Sequence, residues 1–99
     1  MLESVYEQAL AFELTERGMN VERQLEVDAF YKGQNLGLGF RADLIVEKCL
    51  LLELKAVDNL APVHLAQMLT YLRLLGIKRG YLLNFNAKLL KEGIKRVSI

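Results

Sequence analysis

A chain of 99 residues, 53% apolar and 25% charged, has room for one domain built on one hydrophobic core. That composition excludes disordered and collagenous classes, and no apolar run approaches the roughly 20 residues of a membrane span. The net charge of +1 excludes a global pull toward polyanions, yet the balance is −4 over residues 1–49 and +5 over residues 50–99. A dipolar surface of this kind can draw a polyanion to one side. Cys49 is the single cysteine, so an internal disulfide and a cysteine zinc cluster are excluded. The opening MLESVYEQAL carries acidic residues where an export signal needs basic ones, and the expectation is a cytoplasmic protein.

Residues 2–17 are expected to form a helix, because Leu2, Val5, Ala9 and Phe12 recur at three to four residues and Gly18 follows as a stop. Residues 20–31 alternate through Val21, Leu25, Val27, Phe30 and Tyr31, which predicts a strand. KGQN at 32–35 reads as a turn, and residues 36–46 and 50–57 as two further strands around EKC. Asp58 and Asn59 offer helix caps and Pro62 suits a first turn, so a second helix should run from Ala61 to Leu75, with Gly76 as its stop. RGYLLN at 79–84 predicts a short strand, Asn86 a cap for a short helix over 87–92, and IKRVSI a last strand. No repeat or linker divides the chain, and the expectation is a single α/β domain with a mixed sheet of four or five strands flanked by helices. Both helices carry apolar residues around more than one side, which makes a homodimer a further expectation.

The chemistry concentrates in FRADLIVEKCLLLELKA, residues 40–56, where Asp43, Glu53 and Lys55 interrupt two otherwise apolar strands. Their relation depends on one residue of hairpin register. A two-residue turn at Glu47-Lys48 sends Glu53 away from Asp43. A three-residue loop, Glu47-Lys48-Cys49, sets Asp43 opposite Glu53 and Arg41 opposite Lys55, with β-carbons about 4.5–5.5 Å apart. Two carboxylates that close repel unless a cation sits between them, and paired oxygen ligands suit Mg²⁺ or Mn²⁺. Lys55 projects to the same face as Glu53, where it can orient an attacking water or offset charge on a phosphate. A buried salt-bridge cluster of Asp43 or Glu53 with Arg41 or Lys55 explains the same residues equally well.

In the second helix Gln67 and Tyr71 are four apart and share a face, with His64 at its border. A polar seam satisfying buried groups is the competing reading, and His64 at a helix start is expected to be structural or exposed. Arg23 and Gln24, at the edge of the first strand, are weaker candidates. Lys88, Lys91, Lys95 and Arg96 form either a solvated face or, beside the Asp43 cleft, a phosphate track.

Asp43 followed about ten residues later by Glu53-Leu54-Lys55 resembles the core of the PD-(D/E)XK nuclease superfamily, with Ala42-Asp43 in place of its Pro-Asp. The chain also resembles the GxxExxY family within that superfamily. LESVYEQAL at 2–10 looks like its signature, with Glu3 and Tyr6 as the E and Y. VERQ at 21–24, FRADLIVE at 40–47, LELKAV at 52–57, AQMLTYLRLLG at 66–76 and GIKRV at 93–97 look like its successive blocks. The resemblance covers nearly the whole chain, and implies that the family's leading Gly and an N-terminal helical segment would precede residue 1.

The resemblance implies a restriction-endonuclease-like fold and a Mg²⁺- or Mn²⁺-dependent nuclease cutting phosphodiester bonds in DNA or RNA. Asp43 and Glu53 would be metal ligands, helped by the Leu54 carbonyl and by Glu3 from the first helix. Lys55 would be the catalytic lysine. Gln67 and Tyr71 resemble the Q-x-x-x-Y motif of the recombination-exonuclease branch and would assist catalysis. Arg41, Lys88 and Lys91 would contact nucleic acid. The alternative is a non-catalytic nucleic-acid-binding or protein-interaction module on the same scaffold.

Overall fold

A computed structural model describes residues 2–86 and 90–99, and the side chains of all of these but residues 2, 38, 90 and 91. The order is α1 (Leu2–Glu16), β1 (Val21–Tyr31), β2 (Gln34–Val46), β3 (Leu50–Lys55), α2 (Pro62–Leu75), β4 (Arg79–Asn84), a 3₁₀ turn (Leu90–Gly93) and β5 (Ile94–Ser98). The strands form one five-stranded sheet in sequence order. β1, β2 and β3 make an antiparallel meander, β3 and β4 pair in parallel, and β5 returns antiparallel on β4. The parallel step requires a crossover, which α2 supplies.

Each end of α2 has a local cause. Pro62 occupies the first turn, where its missing N–H costs nothing. The cap is Ala61 and not Asp58 or Asn59: the His64 ring Nδ1 accepts the Ala61 N–H at 2.8 Å, while the Ala61 carbonyl accepts the His64 N–H at 2.9 Å. Asp58 instead accepts a hydrogen bond from Asn86 Nδ2 at 3.2 Å. Gly76, at φ +70, ends the helix, and the next N–H, of Ile77, reaches back to the Leu72 carbonyl at 3.0 Å.

The two hairpins differ in a way that matters for the site. β1 and β2 turn through Lys32-Gly33, both at positive φ, with Tyr31 paired to Gln34. The turn is thus two residues, narrower than KGQN, and both φ angles suit the right-handed twist of the strands. β2 and β3 turn through Glu47-Lys48-Cys49, with Val46 paired to Leu50. The Glu47 N–H donates to the Asn20 carbonyl at 2.8 Å, which ties this loop to the α1–β1 connection.

Each face of the sheet carries one apolar cluster. Met68, Tyr71 and Leu72 of α2 pack on Ile45, Leu51, Leu82 and Val97. Ala11 of α1, with Tyr6, Leu10 and Leu14 beside it, packs on Leu44, Val46, Leu52 and Leu54. The buried face of α1 therefore differs from the expected stripe: Val5 and Phe12 are 53% and 66% exposed. The rotation has a consequence, because Glu7 lies on the true buried face and is only 6% exposed. The expected helix over 87–92 falls partly outside the described residues, and its described part is the 3₁₀ turn.

Candidate active site

The ladder between β2 and β3 runs from Val46–Leu50 to Leu44–Leu52 and stops. Beyond it β2 continues against β1 alone, while β3 continues against β4 as far as Lys55–Asn84. The strands part at Asp43 and Glu53, which face each other in the register of the three-residue loop. Side chains replace the missing ladder. The Asp43 N–H donates to Glu53 Oε2 at 2.7 Å, and the Leu54 N–H donates to Asp43 Oδ2 at 2.8 Å. Each carboxylate is thus anchored on the other's strand by one oxygen. The second oxygen is less engaged: among the described residues none donates to Glu53 Oε1, and Asp43 Oδ1 receives a long hydrogen bond, 3.4 Å, from Gln24 Nε2.

A third acid approaches from α1, and it is Glu7. Arg23 clamps its Oε2 through Nε at 3.1 Å and Nη2 at 2.9 Å, while Gln24 Nε2 donates to its Oε1. Gln24 sits at φ +51, between the pairs Arg23–Leu44 and Leu25–Ala42, where the β1–β2 ladder skips a step. Gln24, Asp43 and Glu53 therefore occupy one row across three strands. Glu3 lies a helical turn before Glu7 and is exposed.

Electrostatics follow from this placement. Burial raises the Glu53 carboxyl to about 8, the neighbouring Asp43 charge adds to the rise, and the Asp43 N–H and Lys55 work against it. Asp43 is also raised, by burial first and by repulsion from Glu7, against the Leu54 N–H, Lys55 and Gln24. Lys55 therefore acts on both carboxylates. Among the described residues, ion pairs within 4.0 Å join Arg17 to Glu13 and Arg23 to Glu7, and neither involves Asp43, Glu53, Arg41 or Lys55. The salt-bridge explanation of these residues lacks its contacts.

Tyr71 is buried on α2, its ring centroid 5.5 Å from that of Phe40. Burial raises its hydroxyl, and the Glu53 charge raises it further, while a hydrogen bond with the Arg41 backbone works the other way. Gln67, a turn earlier, is exposed. Arg41 is exposed and lines an open cavity of about 310 Å³ with Glu26, Asp28, Asn35 and Phe40. Lys88 lies outside the described residues, as does the side chain of Lys91. Lys95 pairs with Leu82, which pairs with Glu53, so Lys95 shares the carboxylate's row two strands away.

No group of three or more His, Cys, Asp and Glu side chains suited to a metal ion occurs among the described residues. The donor set that remains is two carboxylates with a less engaged oxygen each, beside the backbone of Leu54. Hard oxygens in a like-charged, partly buried pair fit a hard divalent cation.

A helix, a three-stranded meander, a crossover helix and a fourth strand, with paired acids and E-x-K where the meander splays, define a nuclease-like α/β scaffold. The chain belongs to the PD-(D/E)XK nuclease superfamily, whose model matches residues 1–97. No curated protein matches it. Two solved structures share the fold. The crystal structure of SSO0001 superposes at a TM-score of 0.74 with 21% identity, over 98% of this chain and 50% of that one. An alkaline exonuclease (LHK-Exo) from Laribacter hongkongensis superposes at 0.65 with 18% identity, over 96% of this chain and 55% of that one. The chain spans about half the length of these structures. Among the described residues no helix is long and apolar enough to cross a membrane.

Glu7, which the sequence did not single out, and Gln24, a weaker candidate there, both reach the carboxylate pair. The signal for Glu7 was available in the run Tyr6, Leu10, Ala11 and Leu14, an alternative helical stripe whose face also carries Glu3 and Glu7.

Proposed function

We propose that this protein is a Mg²⁺- or Mn²⁺-dependent nuclease that hydrolyses phosphodiester bonds in DNA or RNA. The observation that carries the proposal is the reciprocal anchoring of Asp43 and Glu53. Glu53 is buried and Asp43 half-buried beside it, with no cationic side chain among the described residues within ion-pair distance, an arrangement that costs free energy unless a ligand offsets it. Membership of a nuclease superfamily and a shared fold with an alkaline exonuclease support nucleic acid as the substrate class.

In this reading Asp43 and Glu53, with the Leu54 carbonyl, hold the cation. The chemistry that a bound Mg²⁺ or Mn²⁺ supplies is a water of lowered pKa and neutralisation of the scissile phosphate. Lys55 lies near both carboxylates and orients the attacking water. Tyr71 bounds the cleft on the α2 side, and its hydroxyl, which the Arg41 backbone engages, would turn its own proton toward that water or a phosphate oxygen. Gln67 and Arg41 are exposed and would contact the nucleic acid.

The test is cleavage of mixed single- and double-stranded DNA and RNA with Mg²⁺ or Mn²⁺, for the wild type, Asp43→Ala and Lys55→Ala. Loss of cleavage in both variants, with folding retained, supports the assignment. Cleavage that survives both changes contradicts it. A wild type that binds nucleic acid but cuts none of these substrates favours the non-catalytic binding module.

A further inference from the structure

A residue with no part in the reaction just proposed links three elements of the site. Gln24 stands at φ +51 inside a strand, a backbone region that long side chains seldom adopt. Its side-chain amide meets two carboxylates, Glu7 Oε1 on α1 and Asp43 Oδ1 on β2. An amide NH₂ carries two donors and a carboxylate only accepts, so one nitrogen satisfies both acids at once. Glu7 is itself immobilised, because Arg23 holds its other oxygen through two nitrogens. Asp43 passes the constraint on through Oδ2, which accepts the Leu54 N–H at 2.8 Å.

We propose that Gln24 is a positioning residue, anchored by Glu7 and Arg23, that fixes the rotation of the Asp43 carboxylate by holding its Oδ1 while the Leu54 N–H holds its Oδ2. The chain of contacts runs from Arg23 to Glu7, Gln24, Asp43 and the Leu54 N–H. Without the Gln24 amide, Asp43 keeps one hydrogen bond to the β3 backbone and gains freedom to swing toward solvent. The left-handed backbone at Gln24 serves this arrangement: it interrupts the β1–β2 ladder at Asp43 and turns the side chain toward α1. Ligand-orienting groups of this type are worth about 10–100-fold in metal affinity.

The role in cation binding rests on the function proposed above; the effect on Asp43 does not, and the two are separable by experiment. Gln24→Gly removes the amide while suiting the positive φ. Amide hydrogen exchange of the metal-free protein then reads the Leu54 N–H directly. Exchange at Leu54 is expected to accelerate about tenfold, with Leu51 and Leu52 unchanged and cooperative unfolding retained. Glu7→Gln, which leaves the backbone at position 24 intact, is expected to accelerate Leu54 in the same sense and stands in if the glycine variant does not fold. The double variant should add little, since both act through one link. Calorimetric titration with Mn²⁺ should show about tenfold weaker binding for Gln24→Gly. Leu54 exchange unchanged in both single variants overturns the positioning role. Altered Leu54 exchange in a protein whose wild type binds no Mn²⁺ upholds that role and sinks the metal site instead.

Discussion

The backbone N–H of Asp43 donates to Glu53 Oε2 at 2.7 Å, so a side chain fills the place of the next ladder bond between β2 and β3. That substitution opens the hairpin at one point and fixes an acid on each side of the opening. The site and the fold are therefore coupled.

The Glu53 carboxyl titrates near 8 in the folded protein against 4.5 in its ordinary state. Between those values the folded state holds a proton that the unfolded state has released, so this group's contribution is complete below pH 4.5 and is lost as pH rises through 8. Metal-free protein in chelator should thus gain more from Glu53→Gln at pH 8 than at pH 5, because the amide carries no charge and its oxygen still accepts the Asp43 N–H. Paired thermal melts across that range test this; a difference independent of pH contradicts it.

Asn84 is 4% exposed and holds the segment that follows Lys55. Its Oδ1 accepts from the Val57 N–H at 3.1 Å and the Asn86 N–H at 3.2 Å, and its Nδ2 donates to the Val57 carbonyl at 2.9 Å. Asn84→Ala strands backbone groups in a half-buried turn and should cost about 1–3 kcal/mol in urea denaturation. Cleavage should fall as well, since Lys55 then ends a strand whose continuation is loose.

Gly80 faces α2, and a β-carbon there would lie 2.5 Å from the Leu51 carbonyl oxygen and collide with the Met68 methyl. Gly80→Ala should destabilise by about 1–3 kcal/mol. Adding Met68→Ala should not restore stability, because the carbonyl contact remains and the buried methionine is lost. Recovery to wild-type stability in the double variant would refute the clash.

Tyr71 and Gln67 separate a buried from an exposed role. Tyr71→Phe keeps the packing on Phe40 and should leave stability within about 1 kcal/mol, while lowering cleavage if the hydroxyl serves the reaction. Gln67→Ala should leave stability within about 0.5 kcal/mol and weaken nucleic-acid binding. A large stability loss in Gln67→Ala would place that side chain in a buried contact.

The hairpin register was not legible, because a two-residue turn and a three-residue loop both align apolar residues of β2 with those of β3; the structure takes the three-residue loop, with Val46 paired to Leu50. The E-x-K on β3 was legible as a charged break in an apolar strand. Glu7 was not, because periodicity rewards apolar residues, and a buried acid subtracts from the stripe that holds it. Gln24 was noticed but not understood: a left-handed residue within a strand has a sequence signal when it is Gly or Asn, and none when it is Gln. The His64 cap escaped for a similar reason, since Asp58 and Asn59 are the stronger capping types and tertiary contacts engaged Asp58 elsewhere.

The central claim is that Asp43 and Glu53 jointly hold a divalent cation. Calorimetric titration of the wild type and Asp43→Asn with Mn²⁺, at pH 6 and pH 8, tests it most directly. The account predicts a site in the wild type that binds more tightly at pH 8, where the Glu53 proton no longer competes, and that is weakened at least about tenfold in Asp43→Asn. No heat of binding in the wild type, or equal binding in the variant, would contradict it.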